Sequence, residues 1–288
     1  MLAELAFAKG DYAGVQQRLK EIKDLIGKPE VAWFEEWKDD ATLLQLVDAQ
    51  VGSQIVSTAL ALKAKGEQEK DKLRDESFQR SREFMKLYAD WYPKGEALDD
   101  FRYQAALLEY HGGNLEMSIE QMDLISKDNT SKHKKSAIYD AMVMTSEWDE
   151  KQPLPKLPEV GNAKTPVALT KSKVALIGRI EAYLKDEPDA ENRINLRYSI
   201  ADIYHNFGHY EKSVPIFDAL ITDAPKTEIG AAALNLELSY LTEAAHWDEL
   251  IEKCKTYLKN KDLIEAGHRK LIRQSLEYAK YMAQQKAS

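Results

Sequence analysis

Between Ile194 and Thr227 the apolar and small residues fall into two stripes separated by a turn signal. Ala201 and Tyr204 stand three apart, and Gly208 follows in time to close a helix. Tyr210, Ser213, Phe217 and Leu220 then continue at three- and four-residue steps, which is one face of a second helix. Pro225 ends that helix, because its ring fixes φ and removes a backbone donor. The pattern predicts an antiparallel helix pair. Ala201 lets the two backbones approach, and Gly208 supplies the left-handed residue of a tight turn. Neither helix can bury its stripe alone, so such pairs must stack.

The same frame recurs along the chain. At two, five and nine residues after Gly208 stand Tyr210, Ser213 and Phe217. The same count after Gly113 gives Leu115, Ser118 and Met122, with Ala106 seven before. After Gly10 it gives Tyr12, Val15 and Leu19, with Ala3 seven before. After Ala245 it gives Trp247, Leu250 and Cys254, a copy with Leu238 at the small position, no turn glycine, and Asp262 in place of the proline. A register of small, aromatic and proline positions repeating about every 34 residues resembles the tetratricopeptide repeat family. About half the chain carries the resemblance directly. It implies an all-α fold, a right-handed α-α superhelix of about five to six helix pairs with a C-terminal capping helix.

Helical spacing extends the reading beyond the registered copies. Residues 1–26 form a truncated pair, followed by a loop around Gly27-Lys28-Pro29. Two long helices are expected over about 41–65 and 69–91, ended by Pro93, and the Gly113 pair occupies 97–127. A helix over about 136–147 then meets the proline-rich stretch 151–166, which cannot be a helix interior. That stretch reads as an insertion within one repeat or as a linker between lobes. The expected organisation is therefore N-terminal pairs over 1–150, an insertion over 151–166 and C-terminal pairs over 167–288. Thr165-Pro166 reads as a helix start, a capping hydroxyl before a first-turn proline. Helices are expected over about 166–186, 190–207, 210–223, 229–244, 247–259 and 263–285, the last capping the stack. The opening Met1-Leu2-Ala3-Glu4-Leu5-Ala6 reads as helix interior, so the chain is expected to be a piece of a longer protein.

Composition narrows function more than fold. The chain has 40 Lys+Arg against 48 Asp+Glu, a net charge of −8. That balance opposes nucleic-acid binding, which needs a basic surface to displace counterions. The basic run Lys132-His133-Lys134-Lys135 reads as a solvated helix start. Thirteen glycines and nine prolines are too few for a β-sandwich or barrel. The longest apolar run, Ile55 to Ala64, is interrupted by Ser57 and Thr58 and falls short of the ~18 residues of a membrane span.

Candidate chemistry is sparse. His205 and His209 have a metal-ligand spacing, but Phe207-Gly208 should end the helix between them, and the residue after His205 is Asn206 rather than an acid. Cys254, the single cysteine, lies on an inward stripe and reads as a buried structural thiol. There is no Walker loop, nucleophile elbow or dinucleotide fingerprint. Carboxylates are spaced as solvated helix faces, and Glu147, Asp149 and Glu150 read as a chance cluster at a helix end. The sequence therefore predicts no catalytic residues, metal or cofactor.

The family resemblance supplies the functional expectation: a non-catalytic scaffold that binds peptide or helix segments of other proteins. In such arrays the first helix of each pair lines a concave groove. The register puts Tyr103, Leu107 and Tyr110 there in one repeat, Tyr198, Asp202 and His205 in the next clear copy, and Asn235 and Ser239 after that. The chaperone-binding branch grips a terminal carboxylate with lysine and asparagine at those places. Tyrosine and aspartate stand here instead, suggesting a partner with apolar and basic residues. Trp33, Phe34 and Trp37, the densest aromatic group, either pack the opening loop or anchor a partner. Ala232-Ala233-Leu234-Asn235-Leu236 through His246-Trp247-Asp248-Glu249-Leu250 is similar to bacterial envelope tetratricopeptide proteins, among them outer-membrane assembly, Tol–Pal and gliding-motility components. That similarity implies a periplasmic location and a multiprotein assembly, with a cytoplasmic one as the alternative. A second reading is a regulatory or substrate-recruiting module of a longer, catalytic protein.

Overall fold

The computed structural model describes residues 9–26, 40–155, 166–260 and 266–287. Among these residues the fold is all-α, with twelve helices and no strand. Positions 27–29, the Trp33, Phe34 and Trp37 group, and Thr165 lie outside them. The chain divides into two compact units, Met1–Met144 and Thr145–Ser288.

The first unit contains α1 (Tyr12–Ile26), α2 (Ala41–Gln68), α3 (Asp71–Trp91), α4 (Leu98–His111), α5 (Leu115–Lys127) and the first part of α6 (Lys134–Glu150). Helices α2 and α3 form a long hairpin, α4 and α5 a shorter one, and α1 packs on α2. Their shared core runs from Val15 and Leu19 through Ile55, Phe84 and Met85 to Leu108. The crossing within each pair repeats one device. Buried Ser118 donates its hydroxyl to the Ala106 carbonyl at 2.6 Å, and buried Ser81 donates to the Ala59 carbonyl at 2.7 Å. An alanine brings the backbones together, and a serine hydroxyl uses the proximity. The α2–α3 hairpin thus belongs to the same design, although its serine follows its alanine by 22 residues instead of 12.

The second unit contains the end of α6, then α7 (Lys171–Asp186), α8 (Arg193–Asn206), α9 (Tyr210–Asp223), α10 (Glu228–Glu243), α11 (Trp247–Lys259) and α12 (Ala266–Ala287). Helices α8 and α9, and α11 and α12, are the closest partners. Ala201, Phe217, Leu234, Leu250 and Cys254 lie in one core. One expectation needs correction: the helix predicted from position 166 begins at Lys171. The cap is Thr170, whose hydroxyl accepts from the Lys173 N–H at 3.2 Å. Residues 166–170 are not helical, and within them the Val167 N–H donates to the Phe207 carbonyl at 2.9 Å.

The four turns read from the repeat all have a left-handed residue, with φ of 73° at Gly10, 81° at Gly113, 79° at Gly208 and 54° at Ala245. In the last three, the next residue's N–H reaches the carbonyl five positions back: Asn114 to Glu109, His209 to Tyr204, His246 to Leu241. Alanine at 245 therefore holds a conformation that crowds its Cβ. Ala245→Gly is expected to raise unfolding stability by about 0.5–1 kcal/mol, the relieved strain less the added freedom of the unfolded chain. Urea denaturation of both forms checks this, and an unchanged midpoint would show that the turn is not strained.

Candidate interaction surfaces

The predicted groove residues occupy the first helices of their pairs but differ in what they touch. On α4, Tyr103 stacks on His133 with centroids 4.4 Å apart and donates its hydroxyl to Asp140 at 2.5 Å. Burial and that carboxylate push its phenol up to about 12. His133 in turn lies 2.7 Å from Asp100, so this tyrosine joins α4 to α6. Tyr110, half-buried, leans on the ring of His111. Leu107 opens into a hollow of about 330 Å³, with Gln104 and His111 beside it and Lys63, Glu67 and Arg74 across from the α2–α3 hairpin.

In the second unit, Tyr198 and His205 lie against Phe217, at 6.3 and 5.7 Å between ring centroids. Asp202 accepts from the Asn206 amide at 2.9 Å, and burial raises its carboxyl above the usual range despite the pull of Lys173. Asn235 and Ser239 are exposed, one helical turn apart on α10. His205 and His209 have separate surroundings: His205 is edge-on to Tyr210, while His209 Nε2 lies 2.9 Å from the Val167 carbonyl. No group of three or more potential metal-ligating side chains occurs among the described residues.

A larger opening lies on a different face of α4. A cleft of about 880 Å³ runs between α3 and α5 with α4 as its floor. Met85, Phe101, Ala105 and Ile125 line it from below, and Met117 and Leu124 of α5 stand at its wall, 51% and 70% exposed. Arg82 closes one part, paired with Glu109 at 3.2 Å and donating to the Leu108 carbonyl at 2.9 Å. The sequence signal for this wall was present but unused: Met117 and Leu124 are seven apart, off the core stripe of Leu115, Ser118 and Met122.

The second unit holds a buried polar cluster that periodicity assigned to solvent. The expectation that carboxylates line solvated faces fails at Glu237, which is 0% exposed. Its Oε1 lies 2.8 Å from Lys253 Nζ, and its Oε2 accepts from the Tyr257 hydroxyl at 2.5 Å. Lys253 also contacts Asp218, and the Tyr257 hydroxyl lies 3.0 Å from it, so α9, α10 and α11 are tied together. Burial raises the Glu237 carboxyl to about 7, against the opposing pull of Lys253 and Tyr257. The neighbouring Cys254 thiol, fully buried, is pushed up to about 11 by burial and by Glu237, so at neutral pH it is not a thiolate nucleophile. Asp149, read as part of a chance cluster, is also buried and pairs with Lys173 at 2.6 Å, joining α6 to α7.

The crystal structure of the tetratricopeptide repeat (TPR) domain of P58(IPK) is similar to this chain at 16% sequence identity and a TM-score of 0.30, covering 99% of this chain and 78% of that one. No family model and no curated protein matches the chain.

Proposed function

We propose that this chain is a non-catalytic scaffold that binds peptide or helix segments of other proteins on the first helices of its pairs. The observation that carries the reading is the stack itself. Helix pairs bury one stripe each, while Asn235, Ser239 and the Leu107 hollow remain open on α10 and α4. Groups with chemical potential are occupied structurally instead: Glu237 and Asp149 with lysines, Tyr103 with Asp140, and the Cys254 thiol within the core. Membership of a bacterial envelope assembly, in the periplasm, belongs to the same proposal and rests on the resemblance around Ala232–Leu236 and His246–Leu250.

The test is affinity capture from lysate and envelope fractions with mass-spectrometric readout. The wild-type chain is compared with a Leu107→Arg, Asn235→Arg, Ser239→Arg variant. These positions are exposed or half-buried, so the fold should survive, which circular dichroism verifies. The expected result is a reproducible partner set reduced roughly tenfold or more by the variant, as loss of a central contact would give. A partner set indifferent to all three changes would count against the first-helix face.

A further inference from the structure

The second unit carries an imbalance of charge at the seam between α10 and α11. Four side chains meet there: Asp218 of α9, Glu237 of α10, and Lys253 and Tyr257 of α11. Two carboxylates share one ammonium, and the phenol adds a donor but no charge. Lys253 meets both oxygens of Asp218 but only Oε1 of Glu237, at 2.8 Å. Glu237 Oε2 has the neutral Tyr257 hydroxyl instead, at 2.5 Å. With both acids ionised the cluster carries a net charge of about −1. Asp218 and Lys253 reach water, whereas Glu237 is fully buried, so the excess falls on the acid that solvent does not touch. With Glu237 protonated, the Lys253–Asp218 pair is balanced and no unpaired charge is buried.

This imbalance sits where the unit is tied least. Helices α11 and α12 pack closely on each other, as do α9 and α10, while α10 packs less extensively on α11 and on α12. One shared core crosses the seam, and the cluster crosses it too. Moving α11 away would take Lys253 and Tyr257 off Glu237 and admit water to its carboxyl. The charged form of Glu237 is therefore accommodated better in an opened unit than in a closed one.

We propose that this cluster is a proton-operated latch: protonated Glu237 holds the α11–α12 pair on α9 and α10, and loss of the proton lets that pair open at the seam while α8 and α9 stay folded. The direction follows from where the proton is held more tightly. Burial raises the Glu237 carboxyl to about 7 in the closed unit, against the pull of Lys253 and Tyr257, and opening returns it to the ordinary glutamate range. The latch is therefore fully closed below that range, weakens as pH rises toward about 7, and changes no further above it. The groups facing Glu237 are Asp218 on α9 and Lys253, Tyr257 and Cys254 on α11. The phenol and thiol are pushed upward and stay neutral, and the Lys253 ammonium is held above its usual value. Of the other helices against α10, α8 pairs its Arg197 with Asp223 and α12 carries the half-buried Arg269. Neither is among the groups that act most on the Glu237 carboxyl.

Amide hydrogen exchange read by mass spectrometry tests the latch on wild type, Glu237→Gln and Asp218→Asn. Exchange is followed in steps between about pH 5 and pH 8, with exposure times scaled for the pH dependence of chemical exchange. A freed pair loses protection, because helices owe most of their stability to the face they pack. In wild type the opening constant of α11 and α12 should rise by up to about tenfold per pH unit below pH 7 and then level off, one proton being released per opening. Peptides from α8, α9 and the first unit should hold their protection. Glu237→Gln should abolish the rise. Asp218→Asn, at a half-exposed position, leaves Lys253 to Glu237 alone and should move the rise to lower pH. A rise of equal size in every helix of the second unit would overturn the proposal, since the whole unit would then be unfolding. So would protection that is independent of pH in wild type, a rise that survives Glu237→Gln, or one left at the same pH by Asp218→Asn. If circular dichroism shows that Glu237→Gln does not fold, the wild-type and Asp218→Asn profiles decide the matter by themselves.

Discussion

Replacing Phe217 with alanine is expected to lower the unfolding free energy by about 3–5 kcal/mol, the range for deleting a buried aromatic ring. Phe217 is fully buried and belongs to the core that α8, α9, α10, α11 and α12 share. His205 meets its ring edge-on and Tyr198 lies tilted against it, so truncation removes apolar burial and two ring contacts together. The hole has little means of collapse, because Leu220 and Ile221 beside it in sequence are themselves buried at fixed helical positions. Urea denaturation followed by circular dichroism measures the effect. A loss below about 1 kcal/mol would mean that Phe217 is not a packing centre of the second unit.

Glu237→Gln is expected to flatten the dependence of stability on pH between the ordinary glutamate range and about pH 7, by an amount on the order of 3 kcal/mol across that window. The sign follows from burial. The Glu237 carboxyl is raised to about 7 in the folded chain, so the folded state binds this proton more tightly than the unfolded one. Its contribution is fully present below the unfolded value and is lost as pH rises through the folded value. The Lys253, Tyr257 and Cys254 side chains near it keep their own charge states over this range. The hydrogen bonds and charges of Asp218 and Glu237 outweigh burial and hold the Lys253 ammonium above its usual value. The Tyr257 phenol and Cys254 thiol are pushed upward and stay neutral. Carboxylates whose values are lowered, such as Asp100 beside Lys132 and His133, act with the opposite sign. The difference between wild type and variant at each pH therefore isolates Glu237. Denaturation at pH 5 and pH 8 supplies the comparison. Parallel curves for the two proteins would show that the carboxylate titrates normally and that the cluster is open to water.

Much of the fold was legible because its turns impose a requirement that only a few residues meet. Gly113 and Gly208 mark their helix ends through a left-handed φ, and the alanine seven before each is fully buried. The Ala245 copy shows the limit of that signal, since the same turn forms around a residue that resists it. The α2–α3 pair escaped the register because its crossing alanine and serine are separated by ten additional residues, although their contact is the same. The start of α7 was read at Thr165, whereas the cap is Thr170 and the Val167 N–H before it pairs with the Phe207 carbonyl. No local pattern could have announced that pairing.

The sites were less legible, for a related reason. A stripe shows which face of a helix is buried but not what meets it. Tyr103 looked like a groove residue, and the partners that hold it, His133 and Asp140, stand a helix away. Glu237 looked solvated because its counter-charge, Lys253, is carried by a different helix, α11. The α3–α5 cleft had only a partial signal, Met117 and Leu124 seven apart and off the core stripe of their helix.

Site-specific photo-crosslinking decides whether these helix pairs bind protein segments. A benzophenone amino acid placed in turn at Leu107, Asn235, Ser239 and Leu124 would be irradiated in the source cell's lysate and envelope fractions, with fully buried Leu250 as a control. Discrete adducts with defined partner polypeptides are expected from these surface positions and none from Leu250. Absence of any polypeptide adduct at all four positions would show that the chain does not bind protein segments on these faces.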